Sequence, residues 1–354
     1  TILYIYLTIF KNLYYINDYL LINFRELMNI LLTGGAGYIG SHVVLSLLDS
    51  GNKVTVIDNL VTGHKDIIPK NVDFYNCDIS NKKKIKKIIK SSRFDILMHF
   101  AGFIKVEESV SNPEKYFENN TAKAISLFET CIESNLNNII FSSTAAIYGN
   151  PSSNKPISEN DFLKPLNPYG ESKMKTENFL LANKDKLNSI ILRYFNVAGA
   201  DHNLRTGLIS DEATHLIKII SEVAVGKREK ILVYGNDYQT KDGTAVRDFI
   251  HVSDLANIHV ETANFLLKNL ETHIFNCGYG KGYSVLDVIN EANSITDKKI
   301  KFEYSKRRPG DAEKLVSNVN KISKYINWTP KYDNLKSIIE SSINWEKKIY
   351  EKNF

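Results

Sequence analysis

A glycine-rich turn between an apolar stretch and a helical pattern constrains the fold of this chain more than any other feature. The apolar residues 30 to 32 run directly into a glycine cluster, and the residues after the cluster have the apolar spacing of a helix. Gly35, Gly37 and Gly40 fit the Gly-x-Gly-x-x-Gly fingerprint, and Gly34, Gly37 and Gly40 fit its Gly-x-x-Gly-x-x-Gly variant. Because glycine lacks a Cβ atom, the backbone can approach a pyrophosphate, whose charge then lies against free N–H groups at a helix N-terminus. The stretch therefore predicts a cradle for a dinucleotide.

The next strand supports this interpretation. Residues 53 to 57 have the pattern of a strand, and the strand ends in Asp58, about 20 residues beyond the glycines. A carboxylate at this point can accept hydrogen bonds from the ribose diol of adenosine, and it would repel a 2′-phosphate. NAD is therefore favoured over NADP. The alternative is a strand-end aspartate that only caps a turn.

Composition describes an ordinary globular chain. The 354 residues carry a net charge of +5 with 43% hydrophobic residues, enough for a large core in one large domain or two closely joined domains. The lysines of residues 81 to 90 alternate with isoleucines three and four positions apart, which favours an amphipathic helix over a nucleic-acid site. Three widely spaced cysteines indicate neither a disulfide framework nor a metal site, so we expect the reducing cytoplasm and no metal.

The first 27 residues differ from the rest of the chain. They are rich in apolar and aromatic residues, but charged residues interrupt every run long enough to span a membrane, and no signal-peptide pattern is present. Met28 immediately precedes the first strand. We hypothesise that residues 1–27 are translated upstream sequence with no role in the fold, which N-terminal sequencing of the native protein would test.

Strand and helix patterns alternate from Met28 onward. Further strands are expected at residues 72–77, 94–99, 138–143 and 189–194, with helical stretches between them. This order predicts an α/β fold with a Rossmann-type, doubly wound parallel sheet, whose ligands collect at the carboxyl ends of the strands. The alternation becomes irregular after residue 197. We expect a dinucleotide-binding domain over residues 28–196 and a smaller α/β substrate domain over residues 197–354, partly interleaved with the first.

A tyrosine and a lysine four residues apart indicate the chemistry. Tyr169 and Lys173 follow a proline-rich stretch that favours a helix start, and on a helix they share one face. The ammonium should then lower the pKa of the phenol, as a general base near neutral pH requires. Thr144, at the end of the strand over residues 138–143, offers a hydroxyl that can reach the same substrate oxygen. These three residues are the predicted catalytic group.

Four segments show a family resemblance that covers about residues 28 to 350. They are Leu32 to His42, His99 to Gly102, Arg193 to Ala200, and the long stretch Tyr234 to Val252. With the residues above, they resemble the extended short-chain dehydrogenase/reductase superfamily and, within it, the UDP-sugar 4-epimerases. The resemblance implies interconversion of UDP-glucose and UDP-galactose by transient oxidation at sugar C4 with tightly bound NAD.

The resemblance also implies a set of binding residues. The cofactor contacts that it implies are Gly34, Gly37, Tyr38, Ile39, Gly40, Asp58, Asn59, Asp78, Ile79, Phe100, Ala101, Gly102, Asn120, Tyr169, Lys173 and Phe195. The nucleotide-sugar contacts are Thr144, Asn196, His215, Leu216, Arg247, Arg308, Asp311 and Leu315. Arginines can form charge-assisted forks with a diphosphate, and an aspartate can accept hydrogen bonds from ribose hydroxyls.

The sequence departs from the family pattern at three positions. A lysine that some members carry two residues after Gly102 is Ile104 here, so Lys105 is given no cofactor contact. Thr144 replaces a serine of some members and keeps the hydroxyl. Leu315 occupies the position that we interpret as the gate on sugar size, where members differ. A 4-epimerase for UDP-N-acetylhexosamines or UDP-uronic acids is therefore an alternative.

Two further alternatives follow from the same scaffold. A nucleotide-sugar dehydratase or decarboxylase is disfavoured, because a dehydratase requires an acid and a base after the strand-end threonine and Ala145 and Ala146 stand there. A non-catalytic NAD-binding regulator would have no use for the predicted catalytic group. As in related enzymes, helical stretches around residues 113–134 and 169–187 are expected to pair across a two-fold axis, giving a homodimer that binds neither nucleic acid nor membrane.

Overall fold

A computed structural model describes residues 27–151, 153, 155–210, 212–296 and 298–351. The hypothesis about the N-terminal extension concerns residues of which 1–26 lie outside this part. Thirteen strands are assigned here: β1 Asn29–Thr33, β2 Lys53–Asp58, β3 Asp73–Asn76, β4 Ile96–His99, β5 Asn138–Thr144, β6 Asn188–Tyr194, β7 Asn196–Ala198, β8 Ile231–Tyr234, β9 Val246–His251, β10 His273–Cys277, β11 Gly282–Ser284, β12 Phe302–Ser305 and β13 Lys314–Leu315.

Eleven α-helices connect or follow the strands of the described chain. They are α1 Tyr38–Asp49, α2 Lys82–Ser91, α3 Val106–Ser111, α4 Pro113–Tyr116, α5 Lys123–Ile132, α6 Pro168–Ala182, α7 Leu216–Ala224, α8 Val252–Asn269, α9 Val285–Ile295, α10 Asn320–Tyr325 and α11 Leu335–Glu351. A π-helical turn over Phe117–Ala122 joins α4 to α5. None of the helices in this part of the chain combines the length and apolar character that crossing a bilayer demands.

Seven parallel strands form the central sheet, in the order β10-β6-β5-β4-β1-β2-β3. Ile30 of β1 pairs with Val54 on one side and with Ile96 on the other, so the strand order reverses between β1 and β4. Ligands of doubly wound sheets bind where two neighbouring connections leave in opposite directions. The predicted Rossmann-type sheet is confirmed, and each predicted strand lies within two residues of an observed one.

Helices cover both faces of this sheet because its strands are apolar on both sides. On one face, Ile30 and Leu32 belong to a buried cluster with residues of α1 and α8, and on the other face Leu31 packs with residues of α2, α5 and α6. The lysine-rich segment is an amphipathic helix, as expected: its three isoleucines are buried, and Asn81 caps it by accepting a hydrogen bond from the Lys84 N–H.

The chain after residue 195 builds two smaller sheets. One contains β11, β9 and β13 with β7 added to β9, and the other pairs β8 with β12. The same part of the chain also returns to the central sheet, because β10 pairs with β6 and α8 packs against α1. The division into domains at residues 196 and 197 stays a prediction.

Candidate active site

A cleft with a volume of 1220 Å³ lies at the carboxyl ends of the central strands, between them and the smaller sheets. All the predicted site residues except Asn120 line it. It is one continuous space: the glycine turn and Asp58 lie in one half, and Arg247, Arg308 and Leu315 lie in the other. The catalytic group Thr144, Tyr169 and Lys173 lines the same cleft. The structure thus brings together residues that are up to 281 positions apart in the sequence, from Gly34 to Leu315.

The glycine turn leaves no room for side chains. Gly34 has a φ of +75°, and a Cβ atom there would lie 2.5 Å from the backbone nitrogen of Ala101. A Cβ atom on Gly40 would lie 2.2 Å from the carbonyl oxygen of Gly34. Helix α1 begins after Gly37 without a side-chain cap, so N–H groups of its first turn are free for a ligand. These features fit the pyrophosphate of a dinucleotide.

Asp58 both braces this turn and faces the cleft. One carboxylate oxygen accepts a hydrogen bond from the Ala36 N–H at 3.0 Å, and the other accepts one from the Leu60 N–H at 2.8 Å. Burial raises the pKa of Asp58, and these two N–H bonds oppose the rise. Two bonds leave acceptor sites on the carboxylate for ribose hydroxyls. The turn-capping alternative and the cofactor contact are therefore compatible.

Tyr38 lines the cleft, but its hydroxyl is used in a contact within the protein. Its hydroxyl donates to the carbonyl oxygen of Gly199 at 2.7 Å, which ties α1 to the segment after β7.

Asp78 is held by Lys123, 2.8 Å away, and Asn59 donates to the same carboxylate at 3.3 Å. Burial raises the pKa of Asp78, but the Lys123 and Ser80 hydrogen bonds outweigh it and lower the pKa to about 2.

Asn120 lies behind the cleft wall, where the π-helical turn places it. Its side-chain oxygen accepts from the Phe103 N–H at 2.8 Å, while its amide donates to the Phe103 carbonyl at 2.9 Å and to the Ser172 hydroxyl at 3.2 Å. The side chain is 1% exposed. Asn120 therefore holds the backbone beside Gly102 in place. The expected direct contact with the cofactor stays a prediction.

The catalytic group forms where α6 meets the end of β5. Asn167 caps α6 by accepting from the Gly170 N–H at 2.9 Å, and Pro168 takes the first helical position, as the proline-rich stretch predicted. The Thr144 hydroxyl lies near enough to the Tyr169 phenol to oppose the rise of its pKa. Two of the three predicted groups are therefore at one point of the cleft.

The expected pKa of Tyr169 requires a correction. We expected Lys173 to lower the pKa of the phenol. In the structure burial raises it, with Thr144 opposing the rise, and the Lys173 ammonium donates to the Ser142 carbonyl oxygen at 2.9 Å. The lowered pKa is therefore wrong for the protein alone. Burial also lowers the pKa of Lys173 itself to about 8, since a charged amine is poorly solvated there.

Two arginines line the other half of the cleft. The guanidinium of Arg247 donates to the carbonyl oxygens of Ala312 and Val246 at 2.6 and 2.9 Å. Arg308 stacks on the ring of Tyr234 at 3.8 Å, and its Nε is buried without a hydrogen-bond partner in the described structure. A buried N–H of a charged group that lacks a partner is unfavourable unless a ligand fills the gap. The donors fit an anion such as a diphosphate.

His215 and Leu216 lie at the start of α7 and line the same half of the cleft. Burial lowers the pKa of His215, and the nearby Arg308 charge adds to that, so the imidazole is neutral near pH 7. Leu315, on β13, packs against a buried cluster that includes Phe195 and Ala145. Its side chain therefore lies beside the catalytic strand end, where a bulkier residue would narrow the cleft.

The sequence did not predict the contacts of several residues near the site. Tyr234 lies within a segment that carries the family resemblance, but nothing in its spacing predicted the stacking on Arg308. Lys105, left without a cofactor contact, pairs with Glu212 at 2.6 Å. Arg307, which is not among the predicted site residues, forms an exposed ion pair with Asp237 at 2.7 Å.

The fold and this cleft define a dinucleotide-dependent α/β enzyme, and comparisons with known proteins narrow that class. Residues 30–278 match the model of the NAD dependent epimerase/dehydratase family. The UDP-glucose 4-epimerase of Azospirillum brasilense is 42% identical over 322 residues, which are 90% of this chain and 92% of that protein.

Solved structures agree with the sequence relatives. A UDP-glucose-4-epimerase from Stenotrophomonas maltophila with bound NAD and formylated UDP-arabinopyranose superposes with a TM-score of 0.88 at 30% identity, covering 92% of this chain and 99% of that one. The UDP-Glc/GlcNAc 4-epimerase from Campylobacter jejuni gives a TM-score of 0.77 at 42% identity, covering 91% and 99%. The chain therefore belongs to the UDP-glucose 4-epimerases of the NAD dependent epimerase/dehydratase family.

Proposed function

We propose that this protein interconverts UDP-glucose and UDP-galactose with tightly bound NAD. The observation that carries the proposal is the position of Tyr169 and Thr144, which lie in one continuous cleft between a backbone cradle for a dinucleotide and two arginines suited to a diphosphate. A sugar attached to a nucleoside diphosphate held by the arginines extends toward the hydroxyls of this pair. When bound, NAD supplies a hydride acceptor for sugar C4 and then a hydride donor for the opposite face of the same carbon.

Tyr169 is the group that moves the proton at the sugar 4-oxygen. As a phenolate it accepts this proton, and as a phenol it returns it after the sugar has turned. The Thr144 hydroxyl lies near the phenol, where it can bond the same sugar oxygen. Lys173 provides a positive charge in the catalytic group. Its ammonium is held by the Ser142 carbonyl, one helical turn from Tyr169.

The other half of the cleft has to meet two opposite requirements. The sugar must present both faces to the same hydride position, so its pocket has to be loose, while the nucleoside diphosphate must stay anchored. Arg247 and Arg308, together with the start of α7 at His215 and Leu216, form the anchor. Asn196 and Leu315 line the sugar end, and Asp311 offers acceptors for ribose hydroxyls.

Incubation of the purified protein with UDP-galactose tests the proposal. We expect UDP-glucose to form until both sugars are present at equilibrium, without added NAD, and without net change in absorbance at 340 nm. Formation of a 4-keto-6-deoxy sugar or release of carbon dioxide would identify the dehydratase or decarboxylase alternative. No reaction in a protein that nevertheless retains NAD would support the non-catalytic regulator.

The dehydratase alternative is also weakened by the wall of the cleft. Ala145 and Ala146 line the cleft directly after Thr144, so methyl groups stand where that reaction requires an acid and a base. A carboxylic acid is needed to protonate the leaving hydroxyl, and neither alanine side chain can transfer a proton.

A second candidate activity is 4-epimerisation of UDP-N-acetylhexosamines. Leu315 at the sugar end is smaller than an aromatic residue and leaves space beside Thr144, and the relative from Campylobacter jejuni is a UDP-Glc/GlcNAc 4-epimerase. We expect turnover of UDP-N-acetylgalactosamine by the unsubstituted protein, and its selective loss in Leu315→Tyr with UDP-galactose turnover largely kept. Equal loss for both substrates would contradict Leu315 as a size gate.

We further propose that the enzyme is a cytoplasmic homodimer. The three cysteines are free and buried, which suits a reducing compartment, and α4, α5 and α6 are the helices that we expect to pair across a two-fold axis. Light scattering at micromolar concentration tests the dimer, since a mass near 40.3 kDa would show a monomer.

A further inference from the structure

A buried ion pair lies one helical turn beyond Lys173, behind the wall of the cleft. Glu177 is on the same face of α6 as Lys173, and its side chain is 1% exposed. Arg193 of β6, 2% exposed, holds the carboxylate with Nη2 2.7 Å from Oε2 and Nε 3.1 Å from Oε1. Desolvating two charges is unfavourable by several kcal/mol, so such a pair often contributes little to stability. Its position beside Lys173 suggests another role.

The pair is anchored to the strands that carry the catalytic group. The Ser143 hydroxyl donates to Glu177, and Ser143 immediately precedes Thr144 on β5. Arg193 also donates to the Tyr148 hydroxyl at 2.9 Å and to the Glu159 carbonyl at 3.0 Å. These contacts give the Glu177 carboxylate a fixed position relative to both α6 and the end of β5.

The surroundings of Lys173 contain little else that stabilises its charge. The groups that the structure places around the ammonium are the Ser142 carbonyl, the rings of Phe141 and His99, the Gly102 backbone with the Asn120 side chain against it, and the Glu177 carboxylate with Arg193 behind it. Burial lowers the pKa of His99 to about 3, so that its ring is neutral. Among these described groups, Glu177 is therefore the anion that can balance the ammonium.

We propose that Glu177 is a positioning residue for the reaction, whose carboxylate keeps the Lys173 ammonium charged while Arg193 and Ser143 fix that carboxylate in place. The effect opposes burial: desolvation lowers the pKa of Lys173 and Glu177 raises it, and the net pKa is about 8. Without the carboxylate the amine loses its proton at a lower pH. Tyr169 then has to transfer the proton in a site where the Lys173 amine is neutral, and its phenolate is less stable.

This inference rests on the proposed function, since turnover is taken to require a charged Lys173. The test uses the double variant E177Q/R193M, which removes both charges and leaves no buried charge alone. We expect the alkaline midpoint of the kcat profile for UDP-galactose to move to lower pH by about half a unit. This is less than the one to three units for loss of a single nearby charge, because the Arg193 guanidinium that opposes the carboxylate is removed with it. KM is expected to change little, since Glu177 lies outside the half that binds the nucleotide.

A second measurement does not depend on turnover. Nitrogen-15 NMR of lysine-labelled protein gives the titration midpoint of Lys173, whose signal is assigned by its absence in K173M. The midpoint should fall by the same amount in E177Q/R193M. If the unsubstituted protein shows no epimerase activity at any pH, the proposed function fails, while the NMR titration still decides whether Glu177 holds the charge of Lys173.

A matched control separates charge from general damage. Lys218 of α7 and Glu346 of α11 form another buried ion pair, 5% and 1% exposed, away from Lys173. The variant K218M/E346Q should leave both midpoints unchanged, whatever it does to stability, and E177D should shift them less than E177Q/R193M. An unmoved Lys173 midpoint in E177Q/R193M, or an equal shift in K218M/E346Q, would overturn the inference.

Discussion

The two halves of the cleft are built from different materials. In the dinucleotide half, which we also call the cofactor half, the surface is mainly backbone. Gly34 and Gly40 leave no space for a Cβ atom, and Asp58 accepts hydrogen bonds from N–H groups of the turn that it faces. In the nucleotide-sugar half, long side chains from separate segments converge. Arg308 there has a buried Nε without a partner among the described residues, and Arg247 rests on carbonyl oxygens.

This difference matches what each half has to do in the proposed cycle. A backbone cradle is rigid and complete before the ligand arrives, so binding requires little ordering and the ligand is retained. Arg308, on the loop after β12, and Leu315, on the edge strand β13, can adjust, which suits a substrate that enters, turns and leaves in every cycle. The cofactor half should therefore respond to substitution by losing its ligand, and the substrate half by graded changes in affinity.

The largest effect is expected at Tyr169, which lies between the halves. Tyr169→Phe removes the proton-transferring oxygen but keeps the ring. We expect kcat to fall by about a thousandfold or more, within the range for loss of a general base. Calorimetry should show UDP binding changed by less than about threefold, because the arginines remain. Near-normal kcat would remove Tyr169 from the mechanism.

The second largest effect is expected for Gly40→Ala, which should weaken the binding of NAD in the cofactor half. Its Cβ atom would lie 2.2 Å from the Gly34 carbonyl oxygen, so the turn has to move away from its present shape. We expect affinity for NAD to fall by about 10- to 100-fold, as strain of 1–3 kcal/mol implies. The NAD content of the purified protein, measured after denaturation, reports the loss. Gly37→Ala is the milder comparison, since its Cβ would meet the same oxygen at 3.3 Å.

Two adjacent arginines test the other half. Arg308 lines the cleft, whereas Arg307 pairs with Asp237 at the surface. Arg308→Met should raise KM for UDP-galactose about 20-fold with kcat nearly kept, because it removes a charge-assisted hydrogen bond made to the substrate throughout the cycle. Arg307→Met should change KM by less than twofold, as expected for an exposed pair. Equal effects of the two substitutions would mean that the diphosphate is not held by Arg308.

The same contrast explains how far the sequence could predict the site. The cofactor half follows local rules: a glycine turn after a strand and an acidic residue at the next strand end are visible within 30 residues, and the parallel sheet follows from alternating patterns. The substrate half depends on segments far apart in the chain, so Arg247, Arg308 and Leu315 were predicted by resemblance. The stacking on Tyr234 and the role of Asn120 behind the wall depend on tertiary packing. The prediction of a lowered pKa for Tyr169 was wrong because burial, which local spacing does not reveal, raises that pKa.

The smallest expected effect concerns stability and has the opposite sign to the others. Lys173 has its charge in a dry part of the cofactor half, and burial lowers its pKa from 10.5 to about 8. At a pH below 8 the amine is charged in both the folded and the unfolded chain, so the folded protein bears the whole desolvation penalty. As pH rises from 8 toward 10.5, the folded protein releases its proton first and the penalty disappears.

Lys173→Met should therefore stabilise the cofactor-free protein while abolishing turnover. We expect the free energy of unfolding in urea to rise by about 1–2 kcal/mol at pH 7, after allowing for the lost hydrogen bond to Ser142, and the gain to shrink above pH 8. Lys175→Met, on the exposed side of α6 in an ion pair with Glu171, is the control and should change stability by less than about 0.5 kcal/mol. A destabilised Lys173→Met at pH 7 would show that Glu177 and the Phe141 ring fully compensate the charge. The cofactor half would then hold its catalytic ammonium without loss of stability.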